Sequence, residues 1–201
     1  MSERKNAMKK FGRLVAVCVV VVGARYGVAQ TAQSGTAAQR TKLQQDTEIQ
    51  GYPCAKGYAM VYPSGHLASC SVSRETVFGE ALIPAGSIID LEWTGKPKGA
   101  MMAHNTVIAG VKCGGGNWLL GPSEGAATGF YPNGKLKICF LAGDQSVQGV
   151  PCMTAGFIGL FGDGARRDGG AKFYESGKLE SCTLAKDYGG KRRGERFQQA
   201  Q

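Results

Sequence analysis

The stretch YPSGHLASC at residues 62–70 returns as YPNGKLKIC at 131–139 and as YESGKLESC at 174–182. A phrase repeated this closely restricts the chain to a repeat architecture, in which each unit is one supersecondary element and neighbouring units share a core. Ahead of each copy stands a second fixed element, DTEIQGYPC, NTVIAGVKC and DQSVQGVPC, which pairs Gly51 with Cys54, Gly110 with Cys113 and Gly149 with Cys152. Spacing is constant inside the elements and variable between them, as in repeats that carry loop insertions.

A fourth, degenerate copy follows the first, with RETVFGEALIPAGS matching the first element and TGKPKGAMMA the second. Aligning Gly79 with Gly51 puts Leu82 in the place of Cys54, and aligning Gly95 with Gly65 puts Ala100 in the place of Cys70. Both cysteines are missing together, as partners within one unit would be in a compartment where a lone thiol is a liability. Of the connectivities open to the cysteines beyond Cys18, this selects Cys54 with Cys70, Cys113 with Cys139 and Cys152 with Cys182. No CxxC or His-containing pair has zinc-ligand spacing, so neither a metal nor another cofactor is expected.

The phrase itself encodes a hairpin. Pro63-Ser64-Gly65 and Pro132-Asn133-Gly134 suit a type I turn followed by a left-handed glycine and a bulge, with Gly177 in the same role. Tyr62 and Leu67, Tyr131 and Leu136, and Tyr174 and Leu179 flank the turns. Beyond them Cys70 shares strand parity with Val72, Cys139 with Leu141 and Cys182 with Leu184, which marks the buried face. Apolar residues come in short runs and no segment holds a 3.6-residue period. The expected fold is therefore all-β, a disulfide-stapled meander of four hairpin units.

These hairpins resemble the aromatic-Tyr-x-x-Gly-Lys-Leu hairpins of bacterial MORN-type repeats, in the variant found in antitoxin-like and exported proteins. The likeness covers the second half of three copies and extends weakly to Trp93–Lys96. It implies a scaffold that binds surfaces or partners, and it assigns no catalytic residue. The Gly-x-x-Cys element departs from the ordinary family pattern.

Outside the repeats, MKKFGRLVAVCVVVVGARYGVAQ has a basic start, an apolar run from Leu14 to Ala24 and a small-residue exit. Residues 1–29 read as a signal peptide cleaved near Ala29, the run being shorter than the ~20 residues of a membrane span. Cys18 follows Val17, where lipoprotein processing wants a small residue. Residues 30–45 read as a flexible polar spacer, 46–185 as the repeat domain and 186–201 as a basic disordered tail. The net charge of +9 belongs to the ends, +5 before residue 30 and +3 after residue 185. The nearly neutral repeat region excludes a nucleic-acid surface.

Two insertions interrupt the repeats: GGGNWLLGPSEGAATG at 114–129 and MTAGFIGLFGDGARRDGGA at 153–171. They carry the possible binding residues Trp118, Phe157, Phe161, Arg166 and Arg167. Asp163 and Asp168 lack the further oxygens calcium requires. Gly115, inside an insertion, is expected to accept a side chain more easily than Gly134. His66 takes the post-turn place of Lys135 and Lys178, His104 lies between copies, and neither has a fixed acid or nucleophile partner. The expected function is that of an exported, non-catalytic binding or structural module of the cell envelope, periplasmic or extracellular. Its partner would be a protein or envelope component, and no transmembrane span remains after signal removal. The alternative is a periplasmic enzyme or enzyme inhibitor that uses the insertion loops.

Overall fold

The computed structural model describes residues 37–116, 128–154 and 170–200. Among them there are strands and no helix. Four short hairpins alternate with four long ones. The short hairpins are β2 (Thr47–Ile49) with the start of β3 (Tyr52–Val61), β5 (Thr76–Phe78) with β6 (Ala81–Ile83), β9 (Thr106–Ile108) with β10 (Val111–Cys113), and β13 (Gln145–Val147) with β14 (Val150–Cys152). The long ones are β3 with β4 (Leu67–Val72), β7 (Ile88–Leu91) with β8 (Pro97–Met101), β11 (Thr128–Phe130) with β12 (Leu136–Phe140), and β15 (Gly170–Phe173) with β16 (Leu179–Thr183).

The long hairpins pair side by side into one antiparallel sheet, flanked by β1 (Gln39–Leu43) and β17 (Arg196–Gln198), in the order β1-β3-β4-β7-β8-β11-β12-β15-β16-β17. This is the all-β meander that the repeat implies. The short hairpins form a second layer, because their inward side chains share one buried cluster with the sheet. Phe78, Ile83, Ile108 and Val147 from the short hairpins lie with Leu67, Ile89, Leu91, Leu136, Leu179 and Leu184 from the long ones. The bridges Cys54–Cys70, Cys113–Cys139 and Cys152–Cys182 each join the second strand of a short hairpin to the second strand of the long hairpin that follows it. Each closed loop constrains the unfolded chain, which suits units that bury little core alone.

The turn chemistry is that of the sequence. Gly65, Gly134 and Gly177 hold φ of 83°, 84° and 86°, and the ladder slips by one residue beside each turn, the bulge that a left-handed glycine introduces. The short hairpins turn differently. Gln50-Gly51, Ala109-Gly110 and Gln148-Gly149 have positive φ at both central residues, whereas Gly79-Glu80 has it only at Gly79. The first three are I′ turns and the last is of II′ type, so Gly79 is equivalent to Gln50 and not to Gly51. The register agrees, since Thr76 faces Ile83 as Thr47 faces Cys54. Ile83, fully buried, is thus the residue in the place of Cys54, and Leu82, expected there, is 52% exposed on the outer side. Ala100 does hold the place of Cys70, for it faces Ile89 as Cys70 faces Ala59.

Both polar ends fold further than expected. Within the stretch 30–45 read as a spacer, β1 pairs with β3 over Gln39–Leu43, and the Arg40 guanidinium lies 3.5 Å from the Tyr58 ring centroid. Within the tail 186–201 read as disordered, β17 pairs with β16 and packs Phe197 on the core, and Tyr188 bridges to Lys191. An edge strand needs one pairing partner and few buried side chains, so it carries no apolar periodicity to be read. Polar, charged edges also discourage further strands from adding.

Gly115 is more constrained than its place in an insertion suggests. A Cβ there would run into the His104 carbonyl oxygen and lie 2.7 Å from that of Met102. The insertion starts from a tightly packed root, and Gly115 admits no side chain without backbone movement.

Candidate functional site

At the turn end of the sheet the short-hairpin tips and the tyrosines are committed to structure. The amide of the leucine after each turn points at a short-hairpin tip: Leu67 N donates to Gln50 Oε1 at 3.1 Å and Leu179 N to Gln148 Oε1 at 2.9 Å. Leu136 N finds only Ala109 at the equivalent tip position, and donates instead to Glu80 Oε1 of the preceding short hairpin at 2.7 Å. Pro97, the fourth residue of the set, has no N–H, and the tip residue that matches it, Gly79, has no side chain. Neighbouring hairpins are tied by tyrosine hydroxyls. Tyr62 donates to Leu91 O, Tyr131 to Phe173 O and Tyr174 to Gln199 O, at 3.0, 2.8 and 2.7 Å. Glu92 replaces the tyrosine in the second hairpin, where its N–H meets Lys96 O as Tyr62 N–H meets His66 O. The Tyr131 hydroxyl is pushed above its ordinary pKa by burial and then by the charges of Glu180 and Glu175, which keeps it a donor. Burial alone raises that of Tyr52.

The opposite end differs, because both insertions arise there. Gly114 N donates to Phe140 O, Thr154 Oγ1 to Leu141 O at 2.7 Å, Gly129 faces Ile138, and Gly170 faces Phe140. All four ends of the insertions therefore surround the C-terminal end of β12. Two side chains hold the roots: Asn105 Oδ1 accepts from Gly115 N at 3.1 Å and Asp144 Oδ1 from Thr154 N at 2.8 Å. Asp46 Oδ1 accepts from Lys56 N in the same way at 2.8 Å. These three residues open the elements DTEIQGYPC, NTVIAGVKC and DQSVQGVPC, and their role as loop anchors was legible in that shared first position. Sequence reasoning passed over it.

Trp118, Phe157, Phe161, Arg166 and Arg167 lie outside the described residues. His66 is exposed, with Nδ1 3.0 Å from Trp93 O, and His104 is exposed with its carbonyl accepting from Thr106 Oγ1. Among the described residues no three His, Cys, Asp or Glu side chains gather as metal ligands. The six bridged cysteines are buried, at most 3% exposed, and hold no free thiol. Comparison with family models, with curated proteins and with solved structures returns no match. The likeness to MORN-type hairpins thus rests on the quoted residues alone.

Proposed function

We propose that this chain is an exported, non-catalytic binding module of the cell envelope, which takes its partner at the end of the sheet where the two insertions arise. The convergence of all four insertion ends on the end of β12 carries this reading. The repeated polar side chains are occupied within the fold: Gln50, Glu80, Gln148 and the three tyrosines tie neighbouring elements together, and Asn105 and Asp144 hold the insertion roots. The insertions are the parts of the sequence that no repeat rule explains, and loops set on a rigid scaffold are where binding residues concentrate. Three intramolecular bridges suit an oxidising compartment, in line with the signal-like order of residues 1–29.

The test compares the intact oxidised chain with a variant whose residues 117–127 and 155–169 are replaced by Gly-Ser spacers. Both are sedimented with washed envelope. The reading expects retention of the intact chain, loss of retention in the variant, and the same three bridges in both. Equal retention would remove the insertions from function. Time-dependent release of an envelope-derived product by the intact chain would replace binding by catalysis.

A further inference from the structure

The turns of the second and third long hairpins carry four exposed lysines on one rim, Lys96, Lys98, Lys135 and Lys137. Lys96 and Lys135 follow the turn glycines Gly95 and Gly134, and Lys98 and Lys137 occupy the equivalent place two residues on. β8 and β11 are neighbours in the sheet, so the two lysine pairs repeat at the two-strand interval of about 9.5 Å. None of the four is ion-paired to a described carboxylate.

Three acidic groups near this rim are engaged with protein donors, while Asp90 on β7, whose partner Gly99 follows Lys98, and Glu180 on β16, whose charge reaches Tyr131, flank it. Glu80 accepts from Leu136 N, Glu175 from Asn133 Nδ2 at 3.0 Å, and Glu92 from Thr94 Oγ1 at 3.4 Å. Aromatic rings stand beside the lysines. Trp93 is 63% exposed on the turn of the second hairpin, with its backbone held by His66, and the Lys137 ammonium lies 5.5 Å from the Tyr131 ring centroid. The rim therefore offers two pairs of flexible point charges, one two-strand step apart, next to the Trp93 and Tyr131 rings.

We propose that this rim binds a linear acidic polysaccharide laid across the hairpin turns. Two cation pairs about 9.5 Å apart fit a polymer that spans both and carries carboxylates along its length better than a compact anion, which would engage one pair only. Ring faces such as that of Trp93 stack on the apolar C–H faces of sugars. A polysaccharide is favoured over a nucleic acid because the bridged fold suits an oxidising compartment, and on this point the inference rests on the exported reading. The lysine rim and the roots of the insertions lie at opposite ends of the sheet, so the two sites are separable.

Polygalacturonate is the probe, titrated calorimetrically into the full oxidised chain at low and physiological salt. Neutral dextran and single-stranded DNA are the comparison polymers. Binding to polygalacturonate should weaken with salt, and dextran should not bind. The combined substitution Lys96→Gln, Lys98→Gln, Lys135→Gln and Lys137→Gln should lower affinity at least about tenfold, since several cation–anion contacts and their counterion release disappear together. Removing four lysines elsewhere, Lys42, Lys56, Lys112 and Lys186, each to Gln, should change it less than about threefold, because distant exposed charges are screened. Trp93→Ala should weaken polygalacturonate and leave any DNA binding unchanged. The spacer variant lacking both insertions should bind polygalacturonate as the intact chain does, which separates failure of this site from failure of the envelope reading. The proposal is overturned by absence of binding, by an equal loss in the two lysine variants, or by DNA binding as tight as polygalacturonate with Trp93 indifferent.

Discussion

The fourth unit of the array joins its short hairpin to its long one by the Cys152–Cys182 bridge, by the two bonds of Gln148, from Leu179 N and to Gly177 O, and by the backbone bridge of Cys152 with Leu184. The second unit has Ile83 and Ala100 in the cysteine positions and Gly79 and Pro97 in the places of the tip glutamine and the post-turn leucine, with Gly79 set against Gly134 of the third turn. Its hairpin also lacks the linking tyrosine, and its contact with the third hairpin pairs Gly99 with Gly129. What the contrast teaches is that the devices were lost as matched pairs. A proline needs no acceptor, so a glycine tip suffices; with one cysteine absent, the other has no partner. The single mismatch, Ala109 beneath Leu136, is repaired from next door by Glu80. Interaction between units thus replaces interaction within one.

The largest difference should appear when the bridged unit loses its bridge. Cys152→Ala with Cys182→Ala opens a loop of sequence separation 30 and should lower the unfolding free energy by about 3–4 kcal/mol in urea denaturation. Ile83→Val in the unbridged unit should cost about 1 kcal/mol, the usual penalty for a buried methylene. Equal costs would mean that the bridge stabilises no more than ordinary packing.

The turn glycines separate next. Gly134 has positive φ, and a Cβ there would lie 2.8 Å from the Cα of Gly79, whereas Gly177 has positive φ with open space around it. Gly134→Ala should cost about 3 kcal/mol, from left-handed strain and overpacking together, and Gly177→Ala about 1–2 kcal/mol from strain alone. Gly115→Ala, with an unstrained φ and a blocked Cβ, should fall between them. A Gly177 variant as unstable as the Gly134 variant would remove the contact between the second short hairpin and the third turn from the account.

The tyrosine links should be the weakest of these. Tyr131→Phe removes one hydroxyl bond and should cost about 1 kcal/mol near neutral pH. Because the folded hydroxyl titrates above its ordinary value of 10.0, its stabilisation is fully present below that value. It should fade as pH rises from there through the raised pKa, since a phenolate cannot donate to Phe173 O. Thermal melts of both proteins across this range should converge at the alkaline end, and a constant difference would show that the bond contributes nothing.

The repeat, its turns, its buried face and its pairing of cysteines were legible because each depends on residues a few positions apart. Turn glycines announce a positive φ, and the paired absence of cysteines announces a contact. The one-residue misplacement at Leu82 arose because glycine was matched to glycine, whereas Gly79-Glu80 forms a II′ turn, which moves the glycine to the first corner. β1 and β17 were illegible for a different reason, since edge strands are stabilised by a neighbour and not by their own pattern. Gly115 misled because its constraint comes from the carbonyls of Met102 and His104, which no local spacing reveals. Of the candidate site, the anchors Asn105 and Asp144 were visible in the repeat, while the meeting of the insertion ends depends on strand order alone.

The most direct test is a double-mutant cycle on Glu80 and Ala109. If every post-turn amide must be met by a tip, and Glu80 stands in for the missing side chain of Ala109, Glu80→Ala should cost about 1–2 kcal/mol by leaving the Leu136 N–H unsatisfied. Ala109→Gln, in the tip position where Gln50 and Gln148 already hold φ near +50°, should be nearly neutral alone and should restore most of that loss when combined with Glu80→Ala. The expected coupling is about 1 kcal/mol or more, measured by chemical denaturation. Strictly additive effects, with no rescue by Ala109→Gln, would contradict the account.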